Sequence, residues 1–252
     1  METHRSAIVT GGSAGIGLAI ADMLADEGWD LTLVARDPAK LEAAAGMLAV
    51  HGTQVQTHPA NLADPDAAAQ VGLAHLDRFG RLDMLVNNAG IGLVGPIERK
   101  TGKQLDLELS LNFKASYIIL QSCIAPLKKA AAEHGASYVI NVSSMAAREN
   151  GPNASVYAAT KAALVSLSNV AHAELSRSGV HVTALLPGFV DTPGTGWADS
   201  GIRDQMFDAA DVAEAVRFLV RTSPRCFVPE IMMTTAGPSI WHSPLDWDTA
   251  ST

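Results

Sequence analysis

Residues 6–20 read SAIVTGGSAGIGLAI, and their order sets the expectation for the rest of the chain. Ser6 to Thr10 is short, apolar and strand-like. Thr10 to Gly17, TGGSAGIG, is a glycine-rich turn. A helix follows, with Ile16, Ile20, Met23 and Leu24 on one face and Gly28 at its end. Strand, glycine turn and helix are the context that a dinucleotide-binding loop requires. Gly11 lets the chain turn sharply. Gly15 and Gly17 let the backbone approach a pyrophosphate, and the helix N-terminus offers free N–H groups to the anion. Ser13 and Ile16 stand in the same turn. The spacing is G-x-x-x-G-x-G, not the commoner G-x-G-x-x-G.

Working outward, Leu31 to Ala35 reads as the second strand, with Arg36 at its end. In a dinucleotide fold this position faces the adenosine ribose, and an arginine there suits a 2′-phosphate. Asp37 partly offsets its charge. A helix from Pro38 to about His51 and a strand through Val55 lead to ANLAD. Asn61 in that segment either hydrogen-bonds an adenine edge or caps the next helix, Asp64 to about Phe79. The strand Asp83–Asn87 runs into NNAG, residues 87–90, where Ala89 and Gly90 leave space for a flat ring. Asn87 alternatively ties adjacent strands together. A long helical region spans Gly102 to His134 and contains Asn112, which holds a water, makes a kink, or faces solvent. Strands follow at Ser137–Val142 and His181–Leu186, the latter broken by Pro187 and Gly188. Thr192 lies at the sheet's carboxyl edge. Residues 193–207 read as a mobile flap, Asp211–Val220 as a last helix and Ile231–Thr234 as a last strand. Such alternation predicts an α/β architecture, one parallel sheet covered on both faces. Ligands in such sheets bind beyond the carboxyl ends of the strands.

A second stretch, Ser143 to Lys161, carries the chemistry. Tyr157 and Lys161 stand at i and i+4 of a helix and share a face. A free tyrosine titrates near 10, and a neighbouring cation lowers that value. Asn153 or Ser155 is the expected cap of this helix, whose dipole acts in the same direction. The Ser144 hydroxyl, following a strand, can donate to the same substrate oxygen. The plain alternative is an ordinary exposed helix pair.

Composition narrows the classes. With 252 residues, 48% hydrophobic and 17% charged, the chain is long and apolar enough for a packed core. A net charge of −8 argues against nucleic acid or an anionic membrane as partner. Cys123 and Cys226 have no metal or redox spacing, and they read as reduced, buried residues of a cytoplasmic protein. No metal site is expected. The N-terminus shows no signal-peptide pattern, and no apolar run approaches a membrane span.

Taken together, these residues resemble the short-chain dehydrogenase/reductase family in its form of about 250 residues. TGGSAGIG resembles the family's cofactor loop, and NNAG its sheet-stabilising motif. Asn112, Ser144, Tyr157 and Lys161 match its catalytic tetrad in type and order. PGFVDT from Pro187 resembles the segment that clasps the nicotinamide. The resemblance implies a single doubly wound Rossmann domain over residues 1–252, a parallel seven-stranded sheet with helices on both faces. It implies an NADP(H)-dependent oxidoreductase acting on a carbonyl or secondary alcohol, with a small ketone or aldehyde and a 3-oxoacyl thioester both fitting. Tyr157 would move the hydroxyl proton, Lys161 would lower its pKa and hold the nicotinamide ribose, and Ser144 would bind the carbonyl oxygen. Asn112 would position a water that relays protons to Lys161. Gly11, Ser13, Gly15, Ile16, Gly17, Arg36, Asn61, Leu62, Asn88, Ala89, Gly90, Pro187, Gly188, Val190 and Thr192 would contact the cofactor with Tyr157 and Lys161. Asn61 stands where the family usually has aspartate, and Ala14 where many NADP-preferring members carry a base, leaving Arg36, with Ser13, to bind the phosphate. The C-terminal part lacks the family's usual glycine-rich ending. Ile91, Leu93, Met145, Gly188 and Phe189 would line the substrate pocket, with Arg148, Glu149 and Asn150 nearby. A homo-oligomer, tetramer before dimer, is expected, through apolar positions such as Leu105, Leu109, Ile118, Leu164 and Leu167. A non-catalytic NADP-binding regulator on the same fold is the alternative, and the intact Ser-Tyr-Lys set argues against it.

Overall fold

A computed structural model describes residues 4–149, 151–196, 198 and 200–236. The first three residues, Asn150, two positions of the flap (197 and 199) and the C-terminal tail from Gly237, all part of the sequence reading, lie outside them. Seven strands form one sheet: β1 Ser6–Thr10, β2 Asp30–Ala35, β3 Val55–Pro59, β4 Met84–Asn87, β5 Ser137–Val142, β6 Val180–Pro187 and a last strand, Glu230–Met233. Across the sheet they run β3-β2-β1-β4-β5-β6-last strand, every pair parallel.

The strand pattern explains why helices cover both faces. In β1, Ala7 and Val9 pack into a cluster with α1 (Gly15–Asp26), α2 (Pro38–Leu48) and the last helix, Ala209–Arg221. Ile8, between them, packs into the opposite cluster with α3 (Pro65–Phe79), α5 (Ala115–His134) and α6 (Ser155–Leu175). In β4, Met84 and Val86 face the first cluster and Leu85 the second. A parallel strand with no solvent face must be apolar at successive positions, which is why these segments read as unbroken hydrophobic runs. The winding reverses between β1 and β4. A crevice opens there, at the carboxyl ends of the two strands.

Helix starts follow local chemistry. Asp37 and Asp64 cap α2 and α3, each followed by proline. Thr101 and Gln104 form a capping box at α4, Gly102–Leu109. Four local expectations change. The long helical region is interrupted by a π turn, Ser110–Lys114, which turns Asn112 into a buried position. Helix α6 is capped by Ala154 without a side-chain bond; Asn153 sits at φ 65° and the buried Ser155 hydroxyl finds no partner among the described residues. Cys123 is buried as expected, but Cys226 is exposed because it follows the end of the last helix on an outer turn. Finally, Val190–Asp191 pairs with Phe207–Asp208, joining the two ends of the 193–207 segment. Among the described residues no helix is long and apolar enough to cross a membrane, and no group of three or more His, Cys, Asp or Glu is arranged to hold a metal.

A polar cluster lies under the opposite, amino end of the sheet. His75 is fully buried, with its ring nitrogens 3.1 Å from Ser6 Oγ and 2.7 Å from Thr32 Oγ1. Burial drives its pKa from 6.5 down to about 4, against weaker opposing effects of the Arg81 backbone and the Asp83 charge. The neutral ring is therefore favoured by folding. Its stabilisation is complete above pH 6.5 and is lost as pH falls toward 4. The loss amounts to about 3 kcal/mol at 1.4 kcal/mol per pKa unit. Denaturant unfolding at pH 7 and pH 4 is expected to show His75→Gln losing about 3 kcal/mol less stability over this interval than the parent. Equal losses would contradict the assignment.

Candidate active site

The crevice is built by fastening β1 to β4. Thr10 Oγ1 accepts from Asn88 N at 2.9 Å and Ala89 N at 3.0 Å, and donates to Val86 O at 3.2 Å. Asn88 Nδ2 donates back to Thr10 O at 2.9 Å. Asn87 does tie strands: its amide donates to Asn141 Oδ1 on β5 at 2.9 Å. Gly11 adopts φ +66° beside Asn88, and Gly15 φ +54° directly under Thr192. A Cβ on Gly17 would enter the Gly11 carbonyl, so glycine there is what lets α1 begin so close to the loop.

Two adjoining cavities result. One, of about 230 Å³, is lined by Gly11, Ser13, Arg36, Leu62, Ala89 and, unforeseen from sequence, Lys40. The other, of about 290 Å³, is lined by Ile16, Asn88, Ser144, Tyr157, Lys161, Pro187, Gly188, Val190 and Thr192. Gly90 lines both. Gly15, Gly17, Asn61 and Asn112 line neither. Asn61 is exposed and its Oδ1 accepts from Ala63 N at 3.3 Å, a local turn, while Asp64 takes the cap of α3. Leu93 and Met145 also stand outside the second cavity, whereas Ile91, Gly188 and Phe189 line it. Arg148 points away, forked onto Glu230 of the last strand at 2.6 and 2.8 Å.

Lys40 follows from local geometry. The Asp37 carboxylate accepts from Ala39 N at 3.0 Å and Lys40 N at 3.2 Å, so Asp37 serves the helix end rather than Arg36. That cap places Lys40 in the first turn of α2, beside the cavity. Arg36 is exposed and forms no ion pair among the described residues.

Around Tyr157 the electrostatics differ from the expectation. Lys161 is buried, its Nζ donating to Val142 O at 2.8 Å and lying 5.7 Å from the centre of the Tyr157 ring. Burial pulls the lysine down from 10.5 to about 8. The phenol is raised, not lowered: desolvation dominates, the Ser144 hydrogen bond opposes it, and the Glu108 charge adds to it. The ammonium is anchored on a strand carbonyl rather than on the phenol. The Ser144 hydroxyl oxygen accepts from Ala146 N at 3.1 Å, which leaves its own hydrogen to donate to the Tyr157 phenol oxygen. Asn112 Nδ2 donates to Ile91 O at 2.9 Å and to Thr160 Oγ1 at 3.0 Å, and its Oδ1 accepts from Ile91 N at 2.8 Å. Its side chain thus braces the loop after NNAG.

Two glycine substitutions should separate close packing from helix propensity. Gly17→Ala is expected to destabilise the fold by about 1–3 kcal/mol, because the loop and α1 must part. Gly46→Ala, in exposed α2 with nothing near the new Cβ, should stabilise by about 0.5–1 kcal/mol. Thermal unfolding of both variants reads the difference, and equal shifts would contradict it.

Comparison with known proteins agrees with this architecture. The family model for short chain dehydrogenases matches residues 5–201. A Staphylococcus epidermidis protein named as an oxidoreductase is 33% identical over 233 residues, 90% of this chain and 96% of its own. A 3-oxoacyl-acyl-carrier-protein reductase of the same species is 28% identical over 244 residues, 93% of this chain and 98% of its own. Among solved structures, an alcohol dehydrogenase from Thermococcus sibiricus complexed with 5-hydroxy-NADP superposes with a TM-score of 0.85 at 27% identity, covering 96% of this chain and 99% of that one. A 3-ketoacyl-acyl-carrier-protein reductase from Brucella melitensis complexed with NADH gives 0.85 at 28% identity, covering 94% and 98%. With the family model matching residues 5–201 and a relative 33% identical over 90% of the chain, the chain belongs to the short-chain dehydrogenase family.

Proposed function

We propose that the chain is an NADP(H)-dependent oxidoreductase of a small, largely apolar carbonyl or secondary alcohol, with Tyr157 as general acid-base. The observation that carries this reading is the convergence of Ser144, Tyr157 and Lys161 on one cavity that adjoins, at Gly90, a second cavity bearing Arg36 and Lys40. The glycine cradle fits a nicotinamide dinucleotide, because a Cβ at Gly11 or Gly15 would fill the space beside Asn88 or Thr192. The first cavity would take its adenosine end and the second its nicotinamide. When bound, that group supplies or accepts the hydride.

The chain's own residues then do the following in the reducing direction. Ser144 donates its hydroxyl hydrogen to the carbonyl oxygen and fixes its place. Tyr157, kept protonated by its dry surroundings, gives its proton to that oxygen as the carbonyl carbon is reduced to an alcohol carbon. Lys161, fixed beside the ring by Val142, stabilises the phenolate left behind. Gly194 and Thr195 wall the cavity on the Thr192 side. Apolar lining such as Ile91, Val94 and Phe189, with Lys161 as the one charged side chain among the described lining residues, favours an uncharged substrate. The protein works as a homo-oligomer in this reading. The surface concerned is an apolar groove of Ile97, Leu105, Leu109, Val156 and Ala159, to which Leu164, buried in its own core, does not contribute.

Likeness alone supports a nicotinamide dinucleotide, since one similar structure holds an NADP derivative and another NADH. The preference for the phosphate rests on Arg36 and Lys40. A charge-assisted hydrogen bond is worth about 1.5–3 kcal/mol, or roughly 10- to 150-fold in affinity. Arg36→Ala should weaken NADPH by that factor and leave NADH nearly unchanged, read as Kd from cofactor fluorescence. Equal weakening of both would contradict the preference. Tyr157→Phe should bind NADPH as the parent does and lose about 10²–10⁴-fold in turnover. A variant turning over a confirmed carbonyl substrate at the parent rate would remove Tyr157 from the mechanism.

A further inference from the structure

Glu108 is fully buried in α4, and the Lys100 side chain is 8% exposed. The Glu108 carboxylate accepts from Leu93 N at 3.0 Å through one oxygen and from Lys100 Nζ at 2.9 Å through the other. Lys100 Nζ in turn donates to Leu93 O. Both backbone polar groups of Leu93 are therefore held by one ion pair. One helical turn on, Asn112 holds both backbone polar groups of Ile91 in the same manner. Residues 108 and 112 share a helix face, and Ile91 and Leu93 alternate along an extended loop. Side chains thus act here as the partner that a neighbouring strand would otherwise supply. Between the two held residues, Gly92 lies against the Tyr157 ring, close enough that a Cβ would sit 3.4 Å from it. Ile91, Gly92 and Val94 are a wall of the Tyr157 cavity.

We propose that the Glu108–Lys100 pair is a positioning device for the active site: by holding Leu93 it keeps the loop Ile91–Val94 against Tyr157 and so sets the affinity for the carbonyl substrate. The proposal rests on the catalytic reading above. Hydrophobic contact alone does not account for the pair, because burying a carboxylate and an ammonium is costly unless their hydrogen bonds are satisfied. Here the bonds that satisfy them go to the loop. The carboxylate is also close enough to Tyr157 for its charge to raise the phenol. Glu108 touches neither cavity, so it acts through the loop and not on substrate.

The test uses three variants of the full chain. Glu108→Gln offers one acceptor where Leu93 N–H and the Lys100 ammonium need one each. Lys100→Met leaves the Leu93 carbonyl unpaired. In the double variant K100M/E108Q the amide can take the N–H and C=O of Leu93 together, as Asn112 does for Ile91, with no charge left in the site. Each single variant should raise KM for the carbonyl substrate about tenfold, the scale of one charge-assisted hydrogen bond, while kcat changes less than about threefold. NADPH Kd should stay within about twofold, and the double variant should return KM toward the parent. Hydrogen exchange of the 91–95 segment should quicken in the single variants and slow again in the double, with α6 unchanged. Parent-like KM in single variants that bind NADPH, or no recovery in the double, would overturn the proposal. If the parent reduces no carbonyl with NADPH, the functional reading fails separately, and exchange at 91–95 still decides the clasp: unchanged exchange in Glu108→Gln refutes it.

Discussion

The ends of β1 and β4 are fastened to each other through one hydroxyl, and the working face of the molecule depends on that junction. Thr10 Oγ1 receives the N–H groups of Asn88 and Ala89, while Asn88 returns its amide to Thr10 O. A doubly wound sheet must reverse its winding somewhere, and at the reversal two strand ends diverge toward opposite faces. Their backbone groups would be left without partners in a partly dry crevice. The Thr10–Asn88 exchange satisfies them and fixes Gly11, Ala89 and Gly90 at the point where the two cavities meet. The glycines then follow from space, with Gly17 against the Gly11 carbonyl and Gly15 under Thr192.

Beyond that junction the site is governed by desolvation more than by pairing. Tyr157 and Lys161 share a helix face, but the lysine is tethered to Val142 and loses proton affinity, and the phenol becomes a weaker acid. A phenol raised in this way stays protonated at neutral pH, as the proposed proton donor requires. The wall opposite Tyr157 is held from α4 and the π turn, through Glu108 and Asn112.

The sheet was legible because its strands are buried on both faces and read as unbroken apolar runs such as SAIVT and SYVINV. Ser144, Tyr157, Lys161 and Arg36 were legible because they sit at fixed offsets from strand ends or helix starts. Lys40 was within reach of the same reasoning, since the Asp37-Pro38 cap sets its position in the first turn. Other features depend on contacts far apart in sequence. The direction of the Tyr157 shift is set by burial under segments distant in sequence, and the clasp joins residues 93, 100 and 108 through atoms that no periodicity encodes. Asn61 had two readings, and as a cap it gives way to Asp64, which already caps α3 and leaves Asn61 in a local turn. The π turn was legible only as one reading of Asn112, a kink, because the rest of Ser110–Lys114 has ordinary helical composition.

The central claim is that the Ser144–Tyr157–Lys161 cavity carries hydride and proton to a carbonyl. Its most direct test is the fate of isotope in a single turnover with NADPH deuterated at both positions of its nicotinamide C4, offered with a panel of small apolar ketones and aldehydes. The account predicts NADPH oxidation with one deuterium on the carbinol carbon of the product and a solvent-derived hydrogen on its oxygen. Tight NADPH binding with no oxidation across the panel, or product whose carbinol hydrogen comes from solvent, would contradict it.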